Sequence, residues 1–253
     1  MPAHYLRRLT GPQRDQAANR HLGYSLTFIA GAANAGGFLA VGQYTSHMSG
    51  IVSGMADALA LGNLWMAAAA VVALAAFVGG AATTAVLTNW ARLRQLRSQY
   101  ALSLLLEAAL LLVFGMSGAF LATQRELLLP ATVVLLCFIM GLQNAIITKI
   151  SKAEIRTTHV TGLVTDLGIE LGKLAYYNRA RCSPRQQVRA NRDKLGLHLR
   201  LLLSFASGGL VGALAFKHLG FSATLPLAAW LTVLAALPVL DDLRAYWAAR
   251  YMR

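Results

Sequence analysis

The sequence predicts an all-α integral membrane protein with about six transmembrane helices plus two short polar half-helices or re-entrant segments, arranged as two inverted repeats. Three observations support this prediction. Hydrophobic residues make up 57% of the chain and charged residues only 13%, against about a quarter charged in soluble domains. The apolar residues are gathered into long blocks. One polar motif occurs twice along the chain.

Composition and charge exclude several classes of protein. The formal net charge is +13, and the basic residues lie between the apolar blocks. A DNA-binding domain would spread Arg and Lys over one water-facing surface, so nucleic acid is not an expected partner. Cys137 lies in an apolar run and Cys182 in a basic loop, so neither a disulfide framework nor a Cys-pair metal site is predicted. We also expect no removed signal peptide, because the first 21 residues lack an apolar core.

Six apolar blocks meet or approach the length of about 20 residues that a membrane crossing needs. They are residues 23–42, 64–89, 100–122, 130–148, 197–216 and 223–240. The predicted domains are a basic N-tail (1–21), a first membrane repeat (22–122), a second membrane repeat (130–240) with a basic loop (177–200), and a C-tail (241–253). The aromatic and Arg residues of the C-tail predict a short interfacial helix.

The repeat is recognised from two segments that are too polar for ordinary lipid-facing spans, 45–62 and 157–175. Within them, residues 45–53 align with 157–165, and upstream residues 28–35 align with 138–145. Downstream, the pair Gly79-Gly80 has a counterpart in Gly208-Gly209. Each repeat is therefore predicted to run as span, polar half-helix, span, span.

Loop charge predicts that the two repeats are inverted. Basic residues concentrate in the N-tail, 91–98, 149–156, 177–200 and the C-tail, and the other connections hold only Arg125 and Lys217. Lys and Arg accumulate on the cytoplasmic side of membranes. Six crossings place every basic segment inside, whereas eight full crossings, the alternative, would place 91–98 and 177–200 outside. The prediction is thus a bacterial inner-membrane protein with both termini in the cytoplasm.

The polar segments are predicted to start inside the membrane, where the start of a helix offers unpaired N–H groups and partial positive charge. Thr45, Ser46, Thr157 and Thr158 are expected to cap these starts. Two such ends near the midplane favour a small anionic or strongly polar solute. The alternative is that the hydroxyls and glycines only allow helices to pack closely.

The candidate solute-binding residues are polar side chains in or beside the repeated motif. His47 and His159 occupy the same place in both copies, and an imidazole can hydrogen-bond a solute or relay a proton. A metal site is not expected, because no third ligand lies at a suitable spacing. The complete candidate set is His47, His159, Asn34, Asn144, Gln143, Thr45, Thr157 and Thr158.

Four acidic residues are candidates for proton or ion coupling: Asp166, Glu170, Asp57 and Glu107. On a helix, His159, Asp166, Glu170 and Lys173 would share one face. The alternative for these residues is a structural cluster near the cytoplasmic surface. Gly54 stands at the place of Asp166 in the first copy, so any coupling would be asymmetric. Glu107 lies in an apolar run, where it must find a partner or be protonated.

Several of these stretches resemble one known family. Residues 31–38, 47–50, 140–145 and 156–162 are similar to the YoaK family of bacterial multi-pass inner-membrane proteins, and the resemblance covers about residues 22–240. Many members carry Asp where this chain has Asn34. The resemblance implies a membrane protein with these motif positions, and it implies no particular activity.

The function predicted from the sequence is a small-solute transporter or channel with a polar site between the repeats. The alternative is a scaffold or sensor whose loop 177–200 binds anionic lipid or a partner. An enzyme is not expected, because no nucleophile–base pair has a recognisable spacing, and no cofactor is predicted. The expected partners are the lipid bilayer, the solute and a second copy. This homodimer would form through Gly79, Gly80, Gly208 and Gly212.

Overall fold

A computed structural model describes residues 9, 15–121, 124–151, 153–176 and 187–251. The described residues form α1 (Gln16–Val41), α2 (Met48–Ala60), α3 (Leu64–Leu93), α4 (Ala101–Leu121), α5 (Arg125–Ile150), α6 (Val160–Ala175), α7 (Arg192–Leu219), a 3-10 turn (Gly220–Ala223) and α8 (Thr224–Tyr251). No strand occurs among them, so the predicted all-α fold is confirmed. Most of the basic N-tail, Lys152, and residues 177–186 of the basic loop lie outside the described residues.

Five stretches of the described chain are long and apolar enough to cross a membrane, judged by length and composition. They are α1, α3, residues Ala101–Gly118 of α4, Leu128–Ile150 of α5, and Arg192–Ala248. The last stretch has 57 residues and contains most of α8 as well as α7. By contrast α2 has 13 residues and α6 has 16. At 1.5 Å per residue they measure about 20 and 24 Å, less than the hydrocarbon core of about 30 Å.

α1 and α5 run antiparallel in the centre of the bundle. Gly37 of α1 faces Leu136 of α5, and Gln143 Nε2 donates to Leu26 O at 3.3 Å, so the residue numbers rise along one helix as they fall along the other. Most of the large, fully buried side chains belong to these two helices. α7 packs along α1, α3 packs along α5, α2 packs on α3, and α6 packs on α7.

α4 and α8 form a second antiparallel pair. Near one end of the pair Gly118 lies against the ring of Phe221. At the other end Asp242 accepts hydrogen bonds from the backbone N–H groups of Arg97 and Ser98, both at 2.9 Å. The interfacial position of the C-tail stays a prediction. Its residues 241–251 are helical, as predicted, and form the last part of α8, which continues unbroken to residue 251. Its acidic turn holds the chain just before α4.

Glycines bring the long helices together at equivalent places. Gly80 of α3 lies against the backbone carbonyl of Phe138, and Gly208 of α7 lies against that of Phe28, with no room for a β-carbon at either glycine. Since Phe28 and Phe138 are repeat partners, Gly80 corresponds to Gly208, one residue away from the pairing that the sequence alignment predicts. Gly212 likewise touches the backbone of Ala32. These contacts lie within one chain, and the homodimer through the glycines stays a prediction.

Candidate functional site

The start of α6 is held against α5 by one asparagine side chain. After α5 ends, residues 153–159 fold back along it, and Ser151 Oγ fixes the turn by accepting from Ile155 N at 2.9 Å. Asn144 Nδ2 then donates to Thr158 Oγ1 at 2.8 Å, and Asn144 Oδ1 accepts from Thr157 Oγ1 at 3.1 Å. Asn144 lies six residues before the end of α5. The short helix therefore begins about 9 Å inside the end of the long one.

The first copy repeats this arrangement with fewer bonds. Ser46 Oγ donates to Asn34 Oδ1 at 2.8 Å, and Asn34 lies seven residues before the end of α1. Thr45 is buried like its counterpart Thr157, but its hydroxyl has no hydrogen-bond partner among the described residues. The recurring amides and hydroxyls of the sequence motif are thus brought together in pairs, one pair for each copy.

The N-cap positions of α2 and α6 are occupied by His47 and His159, and neither side chain makes a capping hydrogen bond. The capping role predicted for Thr45, Ser46, Thr157 and Thr158 is therefore wrong. All four residues precede the N-cap position, and the bonds of Ser46, Thr157 and Thr158 run to the asparagines. Each imidazole instead folds over the first turn, onto Gly50 or Gly162, where a β-carbon would overlap the ring. Helix geometry leaves the first-turn N–H groups without partners inside the helix.

A cavity of about 480 Å³ opens beside the start of α6, and we refer to it as the inner cavity. Its wall includes Thr161 and Gly162 from the first turn of that helix. Ala153 and Leu163 also line it, and the remaining lining side chains are charged or polar: Glu154, Arg156, His159, Thr165, Asp166 and His198. Every lining residue belongs to the second copy.

His198 is a residue of the inner cavity that the sequence analysis does not single out. It lies near the start of α7 and is only 3% exposed. Its Nδ1 has no hydrogen-bond partner among the described residues, and Asp166 Oδ2 lies 3.6 Å away, beyond hydrogen-bond length. The repeated motif does not identify His198, because the equivalent residue of the first copy is Ala70, 128 positions earlier.

The polar cluster around Asn144 and the polar cluster around Asn34 lie at different depths in the bundle. Since Gln143 lies opposite Leu26, the neighbouring Asn144 lies near the level of Leu26 on α1. Asn34 is eight residues further along α1, about 12 Å at 1.5 Å per residue. The structure therefore brings His159, Asn144, Thr157, Thr158 and Asp166 into one region. It gathers Asn34, Thr45 and His47 in another.

The remaining acidic candidates have separate surroundings. Glu170 is 4% exposed and accepts from Lys173 Nζ at 2.8 Å and from Asn191 N at 2.7 Å. These two hydrogen bonds hold the pKa of the Glu170 carboxyl below its usual value, and the bond from Lys173 has the larger effect. Asp57 is exposed on α2. Glu107 is fully buried on α4 with Gln143 as a polar neighbour, and its carboxyl oxygens have no hydrogen-bond partner in the described part of the chain.

Metal binding has no support in this geometry. Among the described residues, no group of three or more His, Cys, Asp or Glu side chains is arranged to hold a metal ion. The inner cavity offers imidazoles, a guanidinium, hydroxyls, carboxylates and the start of a helix. Such a set is suited to hydrogen bonding and to charge recognition of a small polar molecule.

Comparison with known proteins identifies a family. No curated protein and no solved structure matches the chain. A family profile described as "Protein of unknown function (DUF1275)" matches residues 22–237, which is most of the chain and nearly the stretch that resembles the YoaK family. The match spans both copies of the motif, the whole of α5, α1 from residue 22 onward and all the residues of the inner cavity. The chain therefore belongs to the family of unknown function DUF1275.

Proposed function

We propose that this protein is a small-solute transporter or channel of the bacterial inner membrane, built from two inverted repeats. Two antiparallel pairs of helices support the inversion. α1 and α5 are equivalent by the sequence repeat, and α4 and α8 each end a repeat. Equivalent helices run antiparallel when one copy is turned over in the membrane. The Phe28–Gly208 and Phe138–Gly80 contacts recur in the same way.

The same packing supports six crossings. The apolar stretch Arg192–Ala248 would measure about 85 Å as one straight helix, which is nearly three times the hydrocarbon core. Gly220 interrupts it with a left-handed backbone (φ 59°), and α8 then returns alongside α4. Counting α7 and α8 separately gives six spans, with α2 and α6 as half-helices that reach the interior from opposite sides.

Charged contacts support a single cytoplasmic face. Arg20 is paired with Asp193 at 2.6 Å, which joins the starts of α1 and α7. Lys149 near the end of α5 donates to Asn89 of α3 at 3.3 Å. Asp242 near the end of α8 binds the chain before α4. Because this end of the bundle gathers the basic segments, the tendency of Lys and Arg to stay inside makes it the cytoplasmic face.

The observation that carries the proposal is the pair of uncapped helix starts within the bundle. Non-helical backbone at membrane depth is tolerated only where protein or a water-filled cavity covers it. Residues 153–159 meet this condition, since Ile155 is buried against Gly23 of α1 and the inner cavity lies beside them. The partial positive charge of such a start, with Arg156 nearby, favours a small anionic solute.

Flux through proteoliposomes tests the proposal. Purified protein is reconstituted, and the uptake of chloride, acetate, sulfate and a set of neutral metabolites is followed. We expect flux of at least one anion, and a reduction of about tenfold or more in His159→Gln, because the imidazole lies at the start of α6 and lines the cavity. Gly172→Ala is the matched control, because this glycine on the same helix has no atom within 4 Å of an added β-carbon.

The absence of flux for every solute, in protein that circular dichroism shows to be folded, would contradict the transport proposal. It would favour the scaffold or sensor whose basic loop binds lipid or a partner. In that case, neutralising the basic residues of 185–194 would abolish binding to anionic vesicles, and His47→Ala and His159→Ala would have no effect.

A further inference from the structure

The inner cavity combines the start of a helix with a buried imidazole that has an unused nitrogen. His198 is 3% exposed and lines the cavity, and its Nδ1 lacks a hydrogen-bond partner in the described part of the chain. A buried polar atom without a partner costs free energy unless a ligand or a changed protonation state satisfies it. Since Asp166 Oδ2 lies only 3.6 Å away, a proton on Nδ1 would give the carboxylate a charged donor after a small movement.

The charges around the cavity disfavour an anion as long as the imidazoles are neutral. Arg156 is then the positive side chain of the wall, set against the carboxylates of Glu154 and Asp166. On α1, which also packs on α7, the charge of Arg20 is matched by Asp193 at 2.6 Å. Among the side chains that line the cavity, carboxylates outnumber positively charged groups by one, and one added proton would cancel this difference.

We propose that the inner cavity binds a small anion at the start of α6 and that His198 takes up one proton from the cytoplasm as the anion binds. This inference rests on the proposed function and adds to it that anion binding is coupled to the uptake of a proton. The proton goes to Nδ1 of the neutral imidazole, which becomes an imidazolium facing Asp166. The anion lies against the first-turn N–H groups, near Arg156. The proton and a monovalent anion together then add no net charge to the cavity.

The first copy lacks both members of the proton-binding pair. Gly54 stands where the second copy has Asp166, and Ala70 stands where it has His198. Its helix start at His47 keeps the uncapped geometry without these two titratable neighbours. Proton uptake is therefore confined to the half of the molecule that opens beside α6.

Binding measurements on the full-length protein in detergent test this inference. Acetate, chloride and sulfate are the probes, since their own charges stay constant between about pH 6 and pH 8. An equilibrium coupled to one proton changes by up to about tenfold per pH unit, and imidazoles change charge in this range. We expect wild-type protein to bind at least one of the three between about tenfold and about a hundredfold more tightly at pH 6 than at pH 8, and to take up between about half a proton and one proton for each anion in weakly buffered solution.

Three variants separate His198 from its neighbours. His198→Gln keeps a polar side chain but cannot gain charge, so its anion affinity should not change with pH and its proton uptake should vanish. His159→Gln should keep the pH dependence, which controls for the second imidazole of the cavity. In Asp166→Asn, which is safe for folding because its side chain is 43% exposed, the affinity at pH 8 should rise towards the wild-type value at pH 6.

The outcomes distinguish this inference from the proposed function. Anion flux and binding without pH dependence, or an unchanged pH dependence in folded His198→Gln, would overturn the inference and leave the transport proposal intact. The same holds if Asp166→Asn binds no more tightly at pH 8. If folded wild-type protein binds none of the three anions at either pH, the anion site itself is wrong, whether or not neutral solutes cross the membrane.

Discussion

Asn144 and Asn34 each fix the depth in the bundle at which a short helix begins. The connecting loop alone would not set this depth. Asn144 holds Thr157 and Thr158, with contacts between 2.8 and 3.1 Å, whereas Asn34 holds Ser46. The sequence predicts that these residues belong together, because they recur side by side. It cannot predict that they bond to one another, since the turns between the long and the short helices have no pattern of their own.

Removing the two amides should have unequal effects on stability. Asn144→Ala loses bonds to two threonines and leaves the buried Thr157 hydroxyl unpaired, so we expect a loss of about 2–3 kcal/mol in the free energy of unfolding. Asn34→Ala loses one such bond and should cost about 1 kcal/mol. Denaturation in mild detergent measures both values. Equal losses, or a larger loss for Asn34→Ala, would contradict the described contacts.

Glu170 should contribute stability that depends on pH. Its pKa is lowered in the folded protein by Lys173 and the Asn191 N–H, so its contribution is fully present above the ordinary pKa of a carboxyl and is lost as pH falls through the lowered value. Wild-type protein should therefore melt at a higher temperature than Glu170→Gln at neutral pH, and this difference should shrink in acid. A difference that stays constant down to about pH 3 would show that the charge of Glu170 plays no part.

At the scale of single elements, the apolar blocks of the sequence predict the long helices well. Blocks 64–89 and 100–122 correspond to α3 and α4 within a few residues. Block 197–216 misses five residues at the start of α7, since that turn is polar. This missed turn lies next to His198. Hydropathy alone places His198 at the edge of an apolar block and does not indicate that it belongs to a site. Burial of a His in the contact between α6 and α7 is a tertiary property.

Glycine contacts between helices should be sensitive to a single methyl group. Gly80→Ala and Gly208→Ala would push the β-carbon into the backbone carbonyls of Phe138 and Phe28, so each should lower the free energy of unfolding by about 1–3 kcal/mol or more. Gly54→Ala and Gly168→Ala are matched controls in open positions. There the higher helix propensity of Ala should be neutral or stabilising by up to about 1 kcal/mol.

Thermal melting of the four glycine variants in one detergent gives the comparison. Because Gly80 and Gly208 are equivalent in the two copies, their losses should be similar. A tolerated alanine at both positions would mean that α3 and α7 do not approach the central helices as described.

At the scale of the whole molecule, duplication explains why the architecture is readable from one sequence. The repeat and the charge of the loops predict the inverted arrangement, and the antiparallel packing of α1 with α5 agrees with it. Duplication also explains what stays hidden. His198 and Asp166 occur in one copy only, and a comparison between the copies finds only what both contain. The proposed chemistry of the inner cavity arises from that divergence.

Cysteine accessibility in intact cells tests the inverted arrangement most directly. In a background with Cys137 and Cys182 replaced, single cysteines are placed at Leu61, after α2, and at Tyr176, after α6; both positions are exposed. Gln95→Cys, in the turn before α4, marks the cytoplasmic face. We expect a membrane-impermeant maleimide to label Leu61→Cys in intact cells, and to label Tyr176→Cys and Gln95→Cys only after permeabilisation. Labelling of Leu61→Cys and Tyr176→Cys from the same side would contradict the inversion, and with it the two half-helices that reach the interior from opposite faces.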